Sequence, residues 1–222
     1  MPGCEDVGVT RLSGRLAAVA AAVSLILSTA ACGGSSGASD ATATSPGFHG
    51  AVPDVHSERP SFRLVDTAGR PYDFAARTSG RATMLYFGYT HCPDECPTSM
   101  ADLASALRRV DPALARQVTV VFVTTDPWRD KAPILRHWLD RFDPAFVGLT
   151  GSPPQIKAAQ AQMGMPVSRR VPAKKSDGSG RYAVDHFAAV MAFGADDRLA
   201  TLYPSGITPA EIAADLPLLV KG

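Results

Sequence analysis

Cys92 and Cys96 are separated by three residues in Phe87-Gly-Tyr-Thr-His-Cys-Pro-Asp-Glu-Cys-Pro97. Two thiols at that spacing can hold one metal ion between them or close into a disulfide, and both reactions use the thiolate. Pro97 suits the first position of a helix, where its missing N–H is no loss, so a helix is expected to start there with Cys96 as its N-cap. The positive end of the helix dipole would then favour a thiolate. Asp94 and Glu95 push the other way, because carboxylates beside a thiol oppose its ionisation unless a cation is present. That tips the balance toward a metal site over a strong oxidant and leaves both chemistries open.

Thiolates joined by an imidazole suit copper, above all Cu(I). A structural zinc site normally takes four protein ligands, and the remaining cysteines, Cys4 and Cys32, belong to the N-terminal region. The chain has five histidines. His49 and His56 fall in or near a linker-like stretch and are expected to be solvated. His137 sits beside Trp138 in a helical pattern. His91 adjoins Cys92, but neighbours on extended backbone point to opposite sides. His186 immediately precedes an apolar strand pattern. Spacing alone does not choose the third ligand.

The elements that must position these groups read as an α/β chain. Thr83-Met-Leu-Tyr-Phe-Gly88 and Val118-Thr-Val-Val-Phe-Val-Thr124 are apolar or β-branched runs suited to strands buried on both faces. Between them, Met100, Leu103, Ala104, Leu107 and Val110 recur at helical spacing over 97–110. Phe62–Asp66 and Tyr72–Phe74 read as a hairpin around Ala68-Gly-Arg-Pro71, and helical patterns recur near 131–141 and 155–163. Phe187–Phe193 reads as a strand that Asp196-Asp-Arg198 turns into Leu199–Tyr203. Thr208 then caps a last helix with Pro209 at its first position. The polar, basic stretch 166–183 is expected as a surface loop, either simply solvated or a docking surface for a partner. Ligands in open α/β sheets gather at the carboxyl ends of strands, which is where the cysteine pair lies.

Arg11 and Arg15 precede the apolar run Leu16–Leu27 and the small residues leading to Cys32. Such a pattern describes a secretory signal over 1–31, and the run is shorter than the roughly 20 residues of a membrane span. Its end resembles a bacterial lipobox, with Thr29 where Leu is usual, so Cys32 is the expected lipidation site. Residues 32–51 read as a flexible linker and 52–222 as the folded domain. The expectation is a protein anchored to the outer face of a bacterial cell membrane. With 45% hydrophobic and 19% charged residues the chain is globular in composition, and a net charge of +1 argues against nucleic acid as a partner.

Phe87–Pro97, Thr125-Asp-Pro-Trp-Arg-Asp130 and Val184-Asp-His186, in that order, resemble the three signatures of the Sco/SenC family. The resemblance spans roughly Phe62 to the C-terminus. It implies a thioredoxin-like fold, with a central mixed sheet flanked by helices. It further implies a copper ion held by Cys92, Cys96 and His186, and delivery to the copper-bearing subunit of cytochrome c oxidase or to another copper protein. Asp126 matches a family position that shapes the site or a partner contact; on its own it also reads as a turn-forming Asp before Pro127. Three positions depart from the family pattern: Glu95, Trp128 and Phe187. The competing reading is a thiol-disulfide oxidoreductase in which Cys92 and Cys96 are the redox pair, against which the CxxxC spacing counts. A peroxiredoxin-type peroxidase fits less well, since Tyr89 and Pro93 stand where that family has Thr or Ser.

Overall fold

A computed structural model describes residues 47–53, 57–172 and 182–222. Cys4, Cys32, His56, the expected signal segment and most of the expected linker lie outside the described residues. In chain order the elements are β1 (Arg63–Asp66), β2 (Pro71–Asp73), α1 (Phe74–Thr78), β3 (Ala82–Gly88), α2 (Glu95–Arg108), α3 (Pro112–Ala115), β4 (Val118–Thr124), α4 (Ala132–Leu139), β5 (Val147–Thr150), α5 (Pro153–Gln162), β6 (Arg169–Pro172), β7 (Tyr182–Asp185), β8 (Val190–Phe193), β9 (Leu199–Tyr203) and α6 (Pro209–Lys221).

β3 and β4 pair in parallel from Ala82 opposite Val118 to Gly88 opposite Thr124. Their side chains alternate between two cores, as period-two geometry requires. Met84, Tyr86, Val120 and Phe122 face α2, α4 and α6, packing with Met100, Leu135, Trp138 and Leu216. Leu85, Phe87, Val121 and Val123 face the other way, toward Phe74 of α1 and Ile156 of α5. Burial on both faces explains why these strands are continuous apolar runs. β5 extends the parallel set, while β8–β9 on one side and β1–β2 on the other add antiparallel strands, in the order β2-β1-β5-β4-β3-β8-β9. Among the described residues no helix is long and apolar enough to cross a membrane.

Several sequence expectations shift. Phe74 opens α1 rather than closing a strand, because Asp73 caps it by accepting the Ala76 N–H at 3.1 Å. The expected 166–183 loop holds β6 and the start of β7, which pair from Arg169 opposite Asp185 to Pro172 opposite Tyr182, separate from the main sheet. β8 begins at Val190, not at the expected Phe187. Cys96 is not the N-cap of α2: Asp94 is, and Cys96 is the second helical residue. The cause is local, since the Cys96 N–H is already taken up by Cys92 Sγ at 3.5 Å. At the other end of the domain Thr208 and Glu211 form the full capping box of α6, with Pro209 at its first position.

Candidate metal centre

The loop carrying the thiols leaves β3 at Gly88 and enters α2 at Glu95. Both the N–H and the hydroxyl of Thr125 donate to the Gly88 carbonyl, at 2.6 and 3.0 Å, so the ends of β3 and β4 are clipped together. Asp130 is fully buried behind the loop. It accepts from the Thr90 N–H at 2.9 Å, the Thr90 hydroxyl at 2.6 Å and the Thr124 hydroxyl at 2.7 Å. Gly88 is required by packing rather than by its backbone angles. A Cβ there would stand 2.8 Å from Cys96 Sγ and 2.7 Å from the Tyr86 ring.

His186 lies between β7 and β8, and β8 pairs with β3, so the topology brings the imidazole over the start of α2. Its Nε2 is 3.5 Å from Cys96 Sγ. Ligand atoms of Cys92, Cys96 and His186 all lie within 4.8 Å of one another. The other ring nitrogen, Nδ1, is 3.2 Å from the Phe187 carbonyl oxygen. A carbonyl can only accept, so Nδ1 carries the proton and Nε2 presents its lone pair to the thiols. Tyr86 and Tyr89 meet the ring edge-on, at centroid distances of 6.1 and 5.6 Å, and fix its plane.

Electrostatics divides the two free thiols. Cys92, half-buried, is pushed down to about 4. The hydrogen bond from the Cys96 thiol is the main cause; it outweighs burial and is aided by the backbone N–H groups of Cys96 and Asp94. Cys96, fully buried, is pushed well up, first by burial and then by the neighbouring Cys92 sulfur. The pair therefore shares one proton, held on Cys96. Thus the thiolate expected at Cys96 is instead at Cys92. Tyr89 is likewise raised to about 12 by burial.

The donor set fits a soft metal ion. Sulfur and nitrogen ligands about 2.0–2.3 Å from a shared ion stand roughly 4 Å apart, close to the spacing already present. Among the described residues no fourth His, Cys or carboxylate joins the cluster, which is short of a closed zinc site.

The remaining candidates are placed differently. Asp126 is fully buried, accepts from the Tyr182 hydroxyl at 2.9 and 3.1 Å, and is paired with Arg129. Arg129 in turn lies over the Tyr182 and Tyr89 rings, at 3.9 and 5.7 Å. Asp126 thus touches the site only through other side chains. His49 is not free in solvent: its Nδ1 is 2.6 Å from the buried Asp215. His137 is exposed on α4. Sequence reasoning missed Asp130, Tyr86 and Tyr89 as supports of the site. Asp130 and Tyr89 lie within recognised motifs, but nothing local marks a buried carboxylate.

The SCO1/SenC family model matches residues 51–221. The mitochondrial SCO1 homolog 1 of Arabidopsis thaliana is 36% identical over 107 residues, 48% of this chain and 30% of that protein. The match spans 30–66% of the length of the first curated relatives. Among solved structures, copper-bound ScoI of Bradyrhizobium japonicum is 32% identical with a TM-score of 0.63, covering 73% of this chain and 99% of that one. Apo Sco1 of Thermus thermophilus is 30% identical with a TM-score of 0.67, covering 78% and 96%. The mixed sheet with helices on both faces is accordingly the thioredoxin-like architecture that the motifs implied. With three ordered motifs, this topology and a family match over residues 51–221, the chain belongs to the SCO1/SenC family.

Proposed function

We propose that this chain binds copper through Cys92, Cys96 and His186 and passes it to a copper-receiving partner, the copper-bearing subunit of cytochrome c oxidase in the first instance. The observation that carries the reading is the convergence of three soft or borderline donors within 4.8 Å on a rigid frame. A similar protein of the same family holds copper in its solved structure. Copper here is cargo. Cys92 and His186 offer unprotonated donors, Cys96 supplies a second sulfur once its proton leaves, and Tyr86 and Tyr89 keep the imidazole in place. Lipidation at Cys32 and a linker over 32–51 would hold the domain (52–222) beside a membrane-bound partner.

The test is an anaerobic copper(I) titration of the reduced full chain against a competing chelator, beside His186→Ala and Cys92→Ala. One tight equivalent is expected, weakened by about 10–100-fold or more in either variant, the range lost when a metal site is loosened. Full affinity in His186→Ala would overturn the three-ligand site. A second reading rests on the low-pKa Cys92 beside Cys96, the arrangement of an attacking and a resolving thiol. Disulfide reduction retained in His186→Ala, with no copper bound by the parent chain, would put that oxidoreductase reading first.

A further inference from the structure

We propose that a cationic, tryptophan-edged cavity formed by the Thr125–Asp130 turn, α5 and the β6–β7 hairpin is the docking surface for an acidic segment of the copper-receiving protein. The inference rests on the copper-delivery reading above and names the chemistry of its partner. The cavity has a volume of about 230 Å³, and its lining includes Thr125, Trp128, Lys157, Arg169, Arg170 and Val184. Thr125 and Trp128 follow β4, Lys157 belongs to α5, and the remaining three come from the two strands of the hairpin.

Charge decides what fits there. Three cations line the cavity, and among the described residues no carboxylate does. Arg169 is paired with Asp185 at 3.0 Å, but both side chains are more than half exposed, and such a pair holds an arginine only weakly. Trp128 is 49% exposed, the most exposed large apolar side chain among the described residues. Tryptophan and arginine are the residue types that carry most of the energy of protein interfaces. The departure from the family pattern at Trp128 therefore falls on the cavity edge, where it sets partner choice for this chain. A depression walled by cations receives a protruding chain segment, whereas a lipid surface is met by a flat amphipathic face. Complementary charge of this kind speeds encounter and fixes register more than it adds affinity, which suits a partner that leaves once copper has passed.

Contacts join this surface to the metal centre. The Arg170 guanidinium lies 3.5 Å from the centre of the Trp128 ring and 4.9 Å from that of Tyr182. Arg129 meets the same Tyr182 ring and reaches Tyr89, whose ring abuts His186. Thr125 holds the Gly88 carbonyl at the head of the cysteine loop, and Val184 stands two residues before His186. A segment seated in the cavity thus lies against the elements that carry the third donor.

The chain has two tryptophans and Trp138 is buried, so fluorescence reports on Trp128. The reduced, metal-free full chain is titrated with a capped hexapeptide of alternating aspartate and leucine, beside a lysine–leucine hexapeptide, sodium phosphate and phosphatidylglycerol vesicles. A saturable change is expected with the acidic peptide alone, weakening as salt is added. Arg170→Ala should weaken it about tenfold or more, the scale of losing an interface anchor, and keep the parent's copper(I) affinity. Copper(I) transfer to the metal-free copper-bearing subunit of the cognate oxidase should slow about tenfold at low salt when Lys157→Ala is added to Arg170→Ala, a loss of electrostatic steering. The difference should vanish at high salt. An equal response to the lysine peptide or to phosphate, binding of vesicles without binding of the acidic peptide, or an unchanged transfer rate would overturn the proposal. A parent chain that binds copper and passes none to that subunit would count against the delivery reading, while the peptide titration still decides the surface.

Discussion

The split between the two thiols can be read directly from alkylation of the reduced, metal-free chain with iodoacetamide. An ordinary cysteine at the reference value of 9.0 is about one part in a thousand thiolate at pH 6, whereas Cys92 at about 4 is almost wholly thiolate. The gain in thiolate is therefore roughly 1,000-fold. A less basic sulfur is also a weaker nucleophile, with a sensitivity of about 0.4–0.5 per pKa unit, which over this shift removes about 100–300-fold. Cys92 should thus react roughly three- to tenfold faster than an ordinary thiol at pH 6, and about ten- to thirtyfold slower at pH 8. Its rate should be flat from pH 6 to 8, where an ordinary thiol gains about tenfold per unit. Cys96, fully buried with its thiol pushed up, should stay unmodified throughout. Peptide-resolved mass spectrometry over a pH series gives both rates. A Cys92 rate that climbs tenfold per pH unit, or a Cys96 rate equal to it, would refute the assignment of the shared proton.

Gly88→Ala should destabilise the fold by about 1–3 kcal/mol, the usual cost of overpacking a core, because the methyl meets Cys96 Sγ at 2.8 Å and Phe122 at 3.0 Å. Urea unfolding and copper titration should both respond, and a variant unchanged in each would show that Cys96 yields freely. The His49 contact with Asp215 predicts a pH dependence of its own. That hydrogen bond, followed by the charge of Asp215, raises the His49 pKa above 6.5. The stabilisation is therefore fully present below the unfolded value and lost as pH rises through the higher folded one. The unfolding midpoint should fall over that window in the parent chain and not in His49→Gln; identical pH profiles would remove His49 as the cause.

The parts of the fold legible in the sequence are those decided locally. β3 and β4 announce themselves because burial on both faces demands unbroken apolar runs, and α6 because Thr208, Pro209 and Glu211 are a complete start signal. β5 escaped notice because Val-Gly-Leu-Thr is too short to show a period, and its strand character comes from pairing with β4 and β1. The β6–β7 hairpin looked like a loop because its strands have only four residues each and half of those residues are exposed. His49 and Asp215 are 166 residues apart, beyond any spacing argument. At the site itself the residue types identified the chemistry, and the family resemblance, not spacing, identified His186. Which sulfur carries the charge was not legible. It depends on the Cys92 sulfur, ahead of α2, accepting the Cys96 N–H of the first turn, and on Cys96 lying under Gly88, neither of which is visible in residue spacing.

That inversion bears on what the centre is for. A permanent metal site gains most from enclosing its ion with a full set of ligands, as structural zinc sites do. Here the donors are graded by access: Cys96 is sealed beneath the sheet end, whereas Cys92 and His186 are only partly buried. The frame behind them is held in place by the hydrogen bonds of Asp130 and Thr125 and by the two tyrosines. Burial separates the two sulfurs in charge as well: it favours the protonated form of Cys96, while Cys92 is the thiolate of the pair. On the copper-delivery reading proposed above, a site graded in this way would hand its ion outward by exchange of ligands, with the concealed thiol the last that an acceptor could reach.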